Sequence, residues 1–241
     1  MSKTTKVILV VLLVLIIDQS LKIWIKTSMA LNEDIPILGM EWARLHFVEN
    51  PGMAFGWKLP EPYGKLLLSL FRIFAVSILI YFIRQLIQAK AKPGLLISFG
   101  LILAGAIGNI IDSAFYGLIF SDSFHGVATM FPEGNGYAGF LHGKVVDMFY
   151  FPMFKGNFPE WFPFWSGERF LFFRPVFNIA DASITVGVLC IITFHRSFFG
   201  SKEGALTSEQ EEEEPVVSPE SNADISTIDV DDVQKNNGDI L

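Results

Sequence analysis

Carboxylates that interrupt or border apolar segments are the residues of this sequence best suited to chemistry. Asp18 interrupts the first apolar segment, Asp112 follows the third, and Asp181 lies close to the start of the fourth. Asp147 lies in a strand-like stretch before the fourth segment. An ionised side chain at the centre of a bilayer costs roughly 2.5–3.5 kcal/mol on insertion scales. Each of these carboxylates therefore requires either a partner or a function.

Asp147 and Asp181 have little opposite charge close to them in the sequence. Two carboxyl groups near an apolar boundary could share one proton, because like charges close together cannot both ionise at low cost. Such a pair could activate water as a general base and protonate or hydrogen-bond a carbonyl. Carboxylates within membranes equally serve proton relays and cation sites in transporters. The residues alone therefore leave a hydrolase and a transporter open, although four spans without an internal repeat argue slightly against a transporter.

Other polar residues lie close to these carboxylates in the sequence. Asp18 and Lys22 are four residues apart on one helical face, which favours a structural ion pair. Asn178 lies three residues before Asp181 and could orient its carboxylate. Arg72 could extend to the lipid headgroups or pair with a carboxylate, and the sequence leaves both open. The third segment ends in Asn109 and Asp112 and carries a small-residue ridge that permits close helix packing.

The counts of cysteine and histidine exclude several kinds of site. The single cysteine, Cys190, excludes an internal disulfide and a cysteine-based zinc site. The histidines, which show no metal-ligand spacing, are His46, His125, His142 and His195. These counts argue against a zinc peptidase.

The elements that must position these residues are apolar helices. Of the 241 residues, 51% are hydrophobic and 18% are charged, whereas a soluble domain carries about 25% charged residues. This composition disfavours a soluble enzyme, a disordered chain and a nucleic-acid binder. The apolar segments are residues 7–17 (with the pattern continuing to 25), 66–83, 95–111 and 177–194. A membrane helix needs about 20 apolar residues, so we predict an all-α membrane protein, a four-transmembrane-helix bundle with a small extracytoplasmic β-containing region.

The first segment is predicted to remain as a helix rather than to be cleaved as a signal peptide. It is too long for a signal peptide and carries Asp18, Lys22 and Lys26.

Basic residues predict the orientation of the four helices. Lysines and arginines precede the first, separate the second from the third, and follow the fourth. These flanks fall on one side of a four-span protein, so both termini are predicted to be cytoplasmic. The connections 27–65 and 113–176 are then outer loops, with strands expected at residues 42–50 and 144–151. Thirteen aromatic residues between positions 149 and 177 suit the headgroup zone, a hydrophobic mini-core, or both.

The sequence divides into two parts of different charge. Residues 201–241 contain 12 acidic and 2 basic residues, and they account for the overall net charge of −7. We predict a membrane domain over residues 1–200 and a disordered acidic cytoplasmic tail over residues 201–241 without a catalytic role.

Five segments together resemble the lipoprotein signal peptidase (signal peptidase II) family of membrane aspartic peptidases. The resemblance covers about residues 4–198, and the motifs occur in the family's order. They are DQSLK at 18–22, ENPGMAFG at 49–56, GAIGNIID at 105–112, VVDMF at 145–149 and FNIAD at 177–181.

The resemblance implies a function and roles for individual residues. It implies a peptidase of the bacterial inner membrane that cleaves diacylglyceryl-modified prolipoproteins just before the lipidated cysteine. Asp147 and Asp181 would form the catalytic pair. The supporting or substrate-positioning residues would be Asn50, Gly52, Asn109, Asp112 and Asn178, with Asp18 and Lys22 from the first motif. The resemblance implies no metal and no organic cofactor. The expected partners are prolipoprotein substrates and membrane lipid, with no nucleic acid, and the expected state is a monomer.

Two departures from the family pattern affect these expectations. The family usually has Arg directly after the aspartate of the third helix, whereas this chain has Ser113. Arg72, Arg169 and Arg174 are the candidates to supply the missing basic group. The connection from Asp112 to Asp147 is also longer than the family pattern, and its insertion, residues 121–143, is predicted to form a lid or an extra rim.

Overall fold

The computed structural model describes residues 1–51, 63–161, 163, 166–172, 175–196 and 198. The predicted acidic tail, residues 201–241, lies outside the described residues, as do Gly52 and Arg174.

Helices account for most of the described chain. α1 is Lys3–Ser28, α2 is Tyr63–Gln88, α3 is Pro93–Ile111 and α4 is Ile179–Phe194. A π-helical turn, Asp112–Tyr116, and a short turn, Gly117–Ile119, extend α3. Within the described part of the chain, α1, α2 and extended α3 are long and apolar enough to cross a membrane, whereas α4 is apolar but has 16 residues.

α3 lies at the centre of the helices and packs against α1, α2 and α4. Its glycines permit this, because a Cβ at Gly105 would lie 2.2 Å from the carbonyl oxygen of Ala180. A Cβ at Gly108 would lie 2.7 Å from an oxygen of Asp18. Small residues allow such close approach of helices in membranes. The same glycine thus lets the Asp18 carboxylate reach the middle of the helix bundle.

Large apolar side chains on the outer surfaces of α1 and α2 are exposed, as expected for helices that face lipid. Inside, Val7, Ile83, Leu96 and Ile191 belong to a buried cluster shared by the helices.

An antiparallel sheet of four strands packs near one end of α1 and α3. Its strands, in the order β1-β2-β3-β6, are Asp34–Ile37, Met40–Asn50, Val145–Tyr150 and Val176–Phe177. β4 (Phe154–Asn157) and β5 (Arg169–Phe172) form a separate hairpin. The strands predicted at residues 42–50 and 144–151 are therefore confirmed as β2 and β3. Their register places Val48 opposite Asp147 and Asn50 opposite Val145.

A second buried cluster joins the sheet to the helices. Ile25 and Met29 of α1 pack with Phe47 of β2, Val146 of β3 and Tyr116 of the π-helical turn. The predicted aromatic mini-core is present in part, because the rings of Phe149, Phe151 and Phe177 contact one another. Trp161, by contrast, is 79% exposed. The second cluster therefore holds β3 against the C-terminal part of α1 and the extension of α3.

Candidate active site

Asp147 and Asp181 are brought together by one asparagine. Asn178 is the N-cap of α4, and its side-chain oxygen accepts a hydrogen bond of 2.9 Å from the backbone N–H of Asp181. Its amide nitrogen donates to Oδ1 of Asp147 at 2.7 Å. Asn178 is fully buried. The start of α4 and the middle of β3 are thus joined through a single side chain that contacts both carboxylate-bearing residues.

A second asparagine holds the carboxylate of Asp181. The amide nitrogen of Asn109 on α3 donates to Oδ1 of Asp181 at 2.9 Å. The side-chain oxygen of Asn109 accepts from Asn178 at 3.2 Å and from Lys22 at 2.9 Å. Because both polar atoms of the Asn109 amide are occupied, its orientation is defined, and so is the carboxylate that it holds.

Asn50 provides the other hydrogen bond to Asp147. Its amide nitrogen donates to Oδ2 of Asp147 at 3.2 Å across the β2–β3 pair. Alternation along paired strands places Asn50 and Asp147 on the same face of the sheet. Gly52, the other predicted site residue of that segment, lies outside the described residues.

A buried lysine, Lys22, supports the residues on either side of Asp147 and Asp181. The ammonium group of Lys22 lies 2.9 Å from Oδ2 of Asp18 and 2.8 Å from Oδ2 of Asp112. All three side chains are 1% exposed or less. Asp18 also accepts from the backbone N–H of Ala180 at 2.9 Å, and Asp112 accepts from that of Val146 at 3.3 Å. The predicted Asp18–Lys22 ion pair is therefore present, but it is also connected to the residues that flank Asp147 and Asp181.

Gln19 belongs to the same network, although the sequence analysis did not select it as a site residue. Its amide nitrogen donates to Oδ1 of Asp112 at 2.9 Å and to Oδ2 of Asp18 at 3.1 Å. Its oxygen accepts from the hydroxyl of Tyr116 at 3.2 Å. Its position inside the first motif was the available signal, since Asp112 and Tyr116 lie 93 and 97 residues away along the chain.

Of the three arginines considered for the missing basic group, Arg72 is the one found at the site. Its guanidinium lies 3.4 Å from the hydroxyl of Ser113, the residue at the position where the family usually has Arg. Its charge interacts with those of Asp181, Asp112 and Asp147. Arg169 is exposed on β5, and Arg174 lies outside the described residues. Among the described residues, α2 therefore places a basic group beside Ser113.

A cavity of about 330 Å³ opens beside Asp181. Its polar lining comes from Arg72, Asn109 and Asp181, and the remaining lining is largely apolar. The apolar lining residues include Phe71, Val76, Leu79, Ile102 and Ile184. A substrate with an apolar segment could therefore place a polar bond next to Asp181.

The environment of Asp147 changes its proton affinity. Burial raises the pKa of the Asp147 carboxyl to about 7, and the negative charge of Asp181 contributes in the same direction. Hydrogen bonds from Asn50 and Asn178 and the charge of Lys22 oppose the increase. A carboxyl with this pKa can exchange a proton near neutral pH, which is what general acid–base catalysis requires.

A family model for signal peptidase (SPase) II matches residues 10–196. The chain belongs to the signal peptidase II family. Lipoprotein signal peptidase from Porphyromonas gingivalis strain ATCC 33277 is 50% identical over 183 residues, which is 76% of this chain and 79% of the relative. The one from Amoebophilus asiaticus is 37% identical over 191 residues, covering 78% and 76%. The hypothesis of a lipoprotein signal peptidase, and hence a protease, is confirmed at the level of the family.

Solved structures agree with this assignment. A bacterial membrane enzyme solved by the in meso method at 2.3 Å resolution matches with a TM-score of 0.53 at 23% identity, covering 82% of this chain and 92% of that chain. A second, solved by the same method at 1.9 Å resolution, matches with a TM-score of 0.51 at 25% identity, covering 78% and 91%. The fold is that of a membrane enzyme, and the transporter alternative has no support from these comparisons.

The buried lysine generates a testable prediction about stability. Lys22→Met should lower the free energy of unfolding by about 3–5 kcal/mol, because it leaves Asp18 and Asp112 buried without their cation. Thermal unfolding in detergent measures this change. Arg44→Met is the matched control, since Arg44 pairs with Asp34 at 2.7 Å at the exposed edge of the sheet and should affect unfolding far less. Equal effects of the two substitutions would contradict a supporting role for Lys22.

Proposed function

We propose that this signal peptidase II is an aspartic endopeptidase and that Asp147 and Asp181 are its catalytic residues. In this proposal it removes the signal peptide from diacylglyceryl-modified bacterial prolipoproteins, just before the lipidated cysteine. The observation that carries the proposal is the contact of one buried asparagine, Asn178, with both aspartates. The names of the relatives, lipoprotein signal peptidase, support the substrate class.

The catalytic cycle follows from the different surroundings of the two carboxyl groups. Asp147, whose pKa is raised to about 7, carries the proton, and Asp181 acts as the base. Asp181 takes a proton from water while the water oxygen attacks the scissile carbonyl carbon. Asp147 donates its proton to the carbonyl oxygen as negative charge develops there. The tetrahedral intermediate then breaks its C–N bond, and the proton held by Asp181 passes to the leaving amine. Asp147 takes back a proton from a hydroxyl of the intermediate as the carbonyl re-forms, which restores the starting state of both carboxyl groups.

Arg72 has a role in this scheme because it lies at the mouth of the same cavity. Its guanidinium balances the charge of Asp181 beside an otherwise apolar lining, where an uncompensated carboxylate would be costly. It also offers N–H donors to a main-chain carbonyl of the substrate. The apolar part of the cavity would accept the apolar segment of the signal peptide.

We propose that the chain crosses the bacterial inner membrane four times, as a monomer, with both termini in the cytoplasm and the active site at the outer face. Lysines and arginines beside α1, between α2 and α3, and after α4 support this orientation. The 16 residues of α4 rise about 24 Å, somewhat less than the roughly 30 Å of hydrocarbon. Local thinning of the bilayer accommodates short spans. The division into a membrane peptidase domain, residues 1–200, and an acidic cytoplasmic tail, residues 201–241, belongs to the same proposal.

The catalytic pair is tested by amide substitution. Asp147→Asn and Asp181→Asn should each lower kcat for a diacylglyceryl-modified prolipoprotein by at least about 100-fold, because an amide preserves the shape but cannot exchange a proton. Turnover in detergent, at equal concentrations of folded protein, measures the loss. Asp122→Asn is the control, since Asp122 is a half-exposed carboxylate of the insertion. Near-normal turnover by either catalytic variant would exclude the aspartic mechanism.

The protonated state of Asp147 predicts a pH dependence. kcat/KM reports the ionisation of the free enzyme, and a carboxyl with a pKa of about 7 loses its proton above that pH. The value of kcat/KM should therefore decrease about tenfold per unit as the pH rises well beyond 7. A pH profile measured at subsaturating substrate gives the position of this alkaline limb. A rate that instead increases through pH 7 would show that the reaction needs Asp147 ionised.

The role of Arg72 is tested by one substitution that removes its positive charge and one that keeps it. Arg72→Gln should lower kcat/KM about tenfold or more, because a hydrogen bond to a charged group contributes about 1.5–3 kcal/mol. Arg72→Lys should recover part of the loss. The control is Arg84→Gln, since Arg84 is an exposed residue near the opposite end of α2. Identical activity of the Arg72→Gln variant and the wild type would remove Arg72 from the mechanism.

The topology is tested by labelling an introduced cysteine. In a Cys190→Ser background, a cysteine at position 90, between α2 and α3, should be protected from a membrane-impermeant thiol reagent in intact cells. A cysteine at position 122, in the insertion, should be labelled once the reagent passes the outer membrane. The opposite pattern would overturn the four-span orientation.

A further inference from the structure

A second buried polar cluster lies on the face of the sheet opposite Asp147. Its centre is Glu49 of β2, whose Oε1 accepts hydrogen bonds from the ammonium of Lys26 and, at 2.8 Å, from the hydroxyl of Ser123. Oε2 of Glu49 lies 2.8 Å from the ammonium of Lys144. Lys26 also donates to Ser123 at 2.9 Å. We call these four residues the Glu49 cluster.

The Glu49 cluster is a built feature and not a chance surface contact. The side chain of Lys26 is fully buried and that of Glu49 is 3% exposed. Burial alone would raise the pKa of the Glu49 carboxyl, but the hydrogen bonds from Lys144 and Lys26 outweigh it and hold the pKa below its usual value. The Glu49 carboxylate is therefore ionised and tightly held at neutral pH.

The position of Glu49 in the strand connects this cluster to the catalytic site. Glu49 directly precedes Asn50, so the two side chains lie on opposite faces of β2. Lys144 lies just before β3 and three residues before Asp147. Glu49 thus joins the ends of β2 and β3 to α1 at the point where Asn50 donates to Asp147. A shift of β2 at this point would change the Asn50–Asp147 distance directly.

The insertion, residues 121–143, supplies the surroundings of the cluster. Ser123 belongs to it, and the ammonium of Lys26 lies 4.9 Å from the ring of its Tyr137. The ammonium of Lys144 lies 4.5 Å from the ring of Phe124, also in the insertion. Such cation–π contacts are favourable when the cation is desolvated.

Backbone hydrogen bonds attach the insertion to the extension of α3. Phe131 N–H donates to the carbonyl of Ile119 at 2.7 Å, and Gly143 N–H donates to that of Ser113 at 2.8 Å. The insertion is therefore attached to the extension of α3 both in its middle and at its C-terminal end.

We propose that the Glu49 cluster positions Asn50 against the Asp147 carboxylate, so that the insertion at residues 121–143 is part of the framework of the active site. Lys26, Glu49, Ser123 and Lys144 are positioning residues, since none of them contacts Asp147 in the hydrogen bonds described above. This inference rests on the proposed catalytic role of Asp147.

The cluster should affect the pH profile because Asn50 favours the ionised form of Asp147. The charged groups that face Asp147 are Lys22 on α1, Arg72 on α2, Asp112 after α3 and Asp181 on α4. None of them belongs to the cluster. Loss of the Asn50 hydrogen bond would raise the pKa of Asp147 and move the alkaline limb of kcat/KM upward.

The experiment is a mutant cycle in the full-length chain. The Lys26→Gln/Glu49→Gln double variant removes one positive and one negative charge, so the net charge near the site is unchanged. Its alkaline limb is measured with Asn50 present and in an Asn50→Ala background. With Asn50 present, the limb should move upward by about 0.5–1 pH unit, a part of the value of a charged hydrogen bond. In the Asn50→Ala background it should not move further, because residues acting through one contact are not additive.

A matched control and a milder variant complete the experiment. Arg44→Gln/Asp34→Asn removes an exposed ion pair of opposite charges from the same sheet and should leave the limb in place. Ser123→Ala, which changes no charge, is the alternative if the double variant of the cluster does not fold. It should move the alkaline limb of kcat/KM upward by a smaller amount, and only when Asn50 is present. An alkaline limb that does not move, or that moves equally with and without Asn50, would overturn the inference. The proposed function would still be upheld if the Asp147→Asn variant is inactive. An active Asp147→Asn variant would overturn both.

Discussion

The structure depends on holding two carboxyl groups close together at an apolar boundary, where both cannot be ionised at low cost. Two asparagines meet this constraint. Asn178 caps α4 and donates to Asp147, while Asn109 on α3 donates to Asp181. An asparagine amide can donate and accept at once without adding a charge. The amides therefore fix the geometry of the pair without adding a charge, and the hydrogen bond from Asn178 partly opposes the increase that burial causes in the pKa of Asp147.

The same constraint explains the buried ions beneath the pair. Lys22 neutralises Asp18 and Asp112, and each of these carboxylates also accepts a hydrogen bond from a backbone N–H next to Asp181 or Asp147. Removing one partner of such a network leaves an uncompensated charge, which costs more than the intact network contributes. The glycines of α3 serve this network, because only a residue without a Cβ allows Asp18 to approach at Gly108.

Patterns that are local in sequence predicted much of the fold. Imperfect alternation in residues 42–50 and a strand-like run at residues 144–151 indicated β2 and β3. The i, i+4 spacing of Asp18 and Lys22 indicated their ion pair. The Asn178–Asp181 relation was also visible, since an N-cap bonds a backbone N–H two or three residues later. These features involve short separations along the chain, where geometry constrains the contact.

Contacts between distant residues could not be read in this way. Arg72 and Ser113 are 41 residues apart, and the sequence did not rank Arg72 above Arg169 or Arg174. Glu49 and Lys144 are 95 residues apart, and neither residue appeared as a candidate. The insertion was expected to form a lid or rim because its length was visible and its partners were not. Packing of α2 against α3 determines the first contact, and pairing of β2 with β3 determines the second.

The central claim is that the two aspartates share one proton and that it resides on Asp147. An infrared pH-difference spectrum of the full-length protein between pH 5 and pH 9 tests this most directly, because protonated and ionised carboxyl groups absorb at different frequencies. We predict one carboxyl group that loses its proton with a midpoint near pH 7 and whose signal is absent in Asp147→Asn. A wild-type spectrum with no carboxyl titrating near neutral pH, or one whose signal persists in Asp147→Asn, would contradict the account.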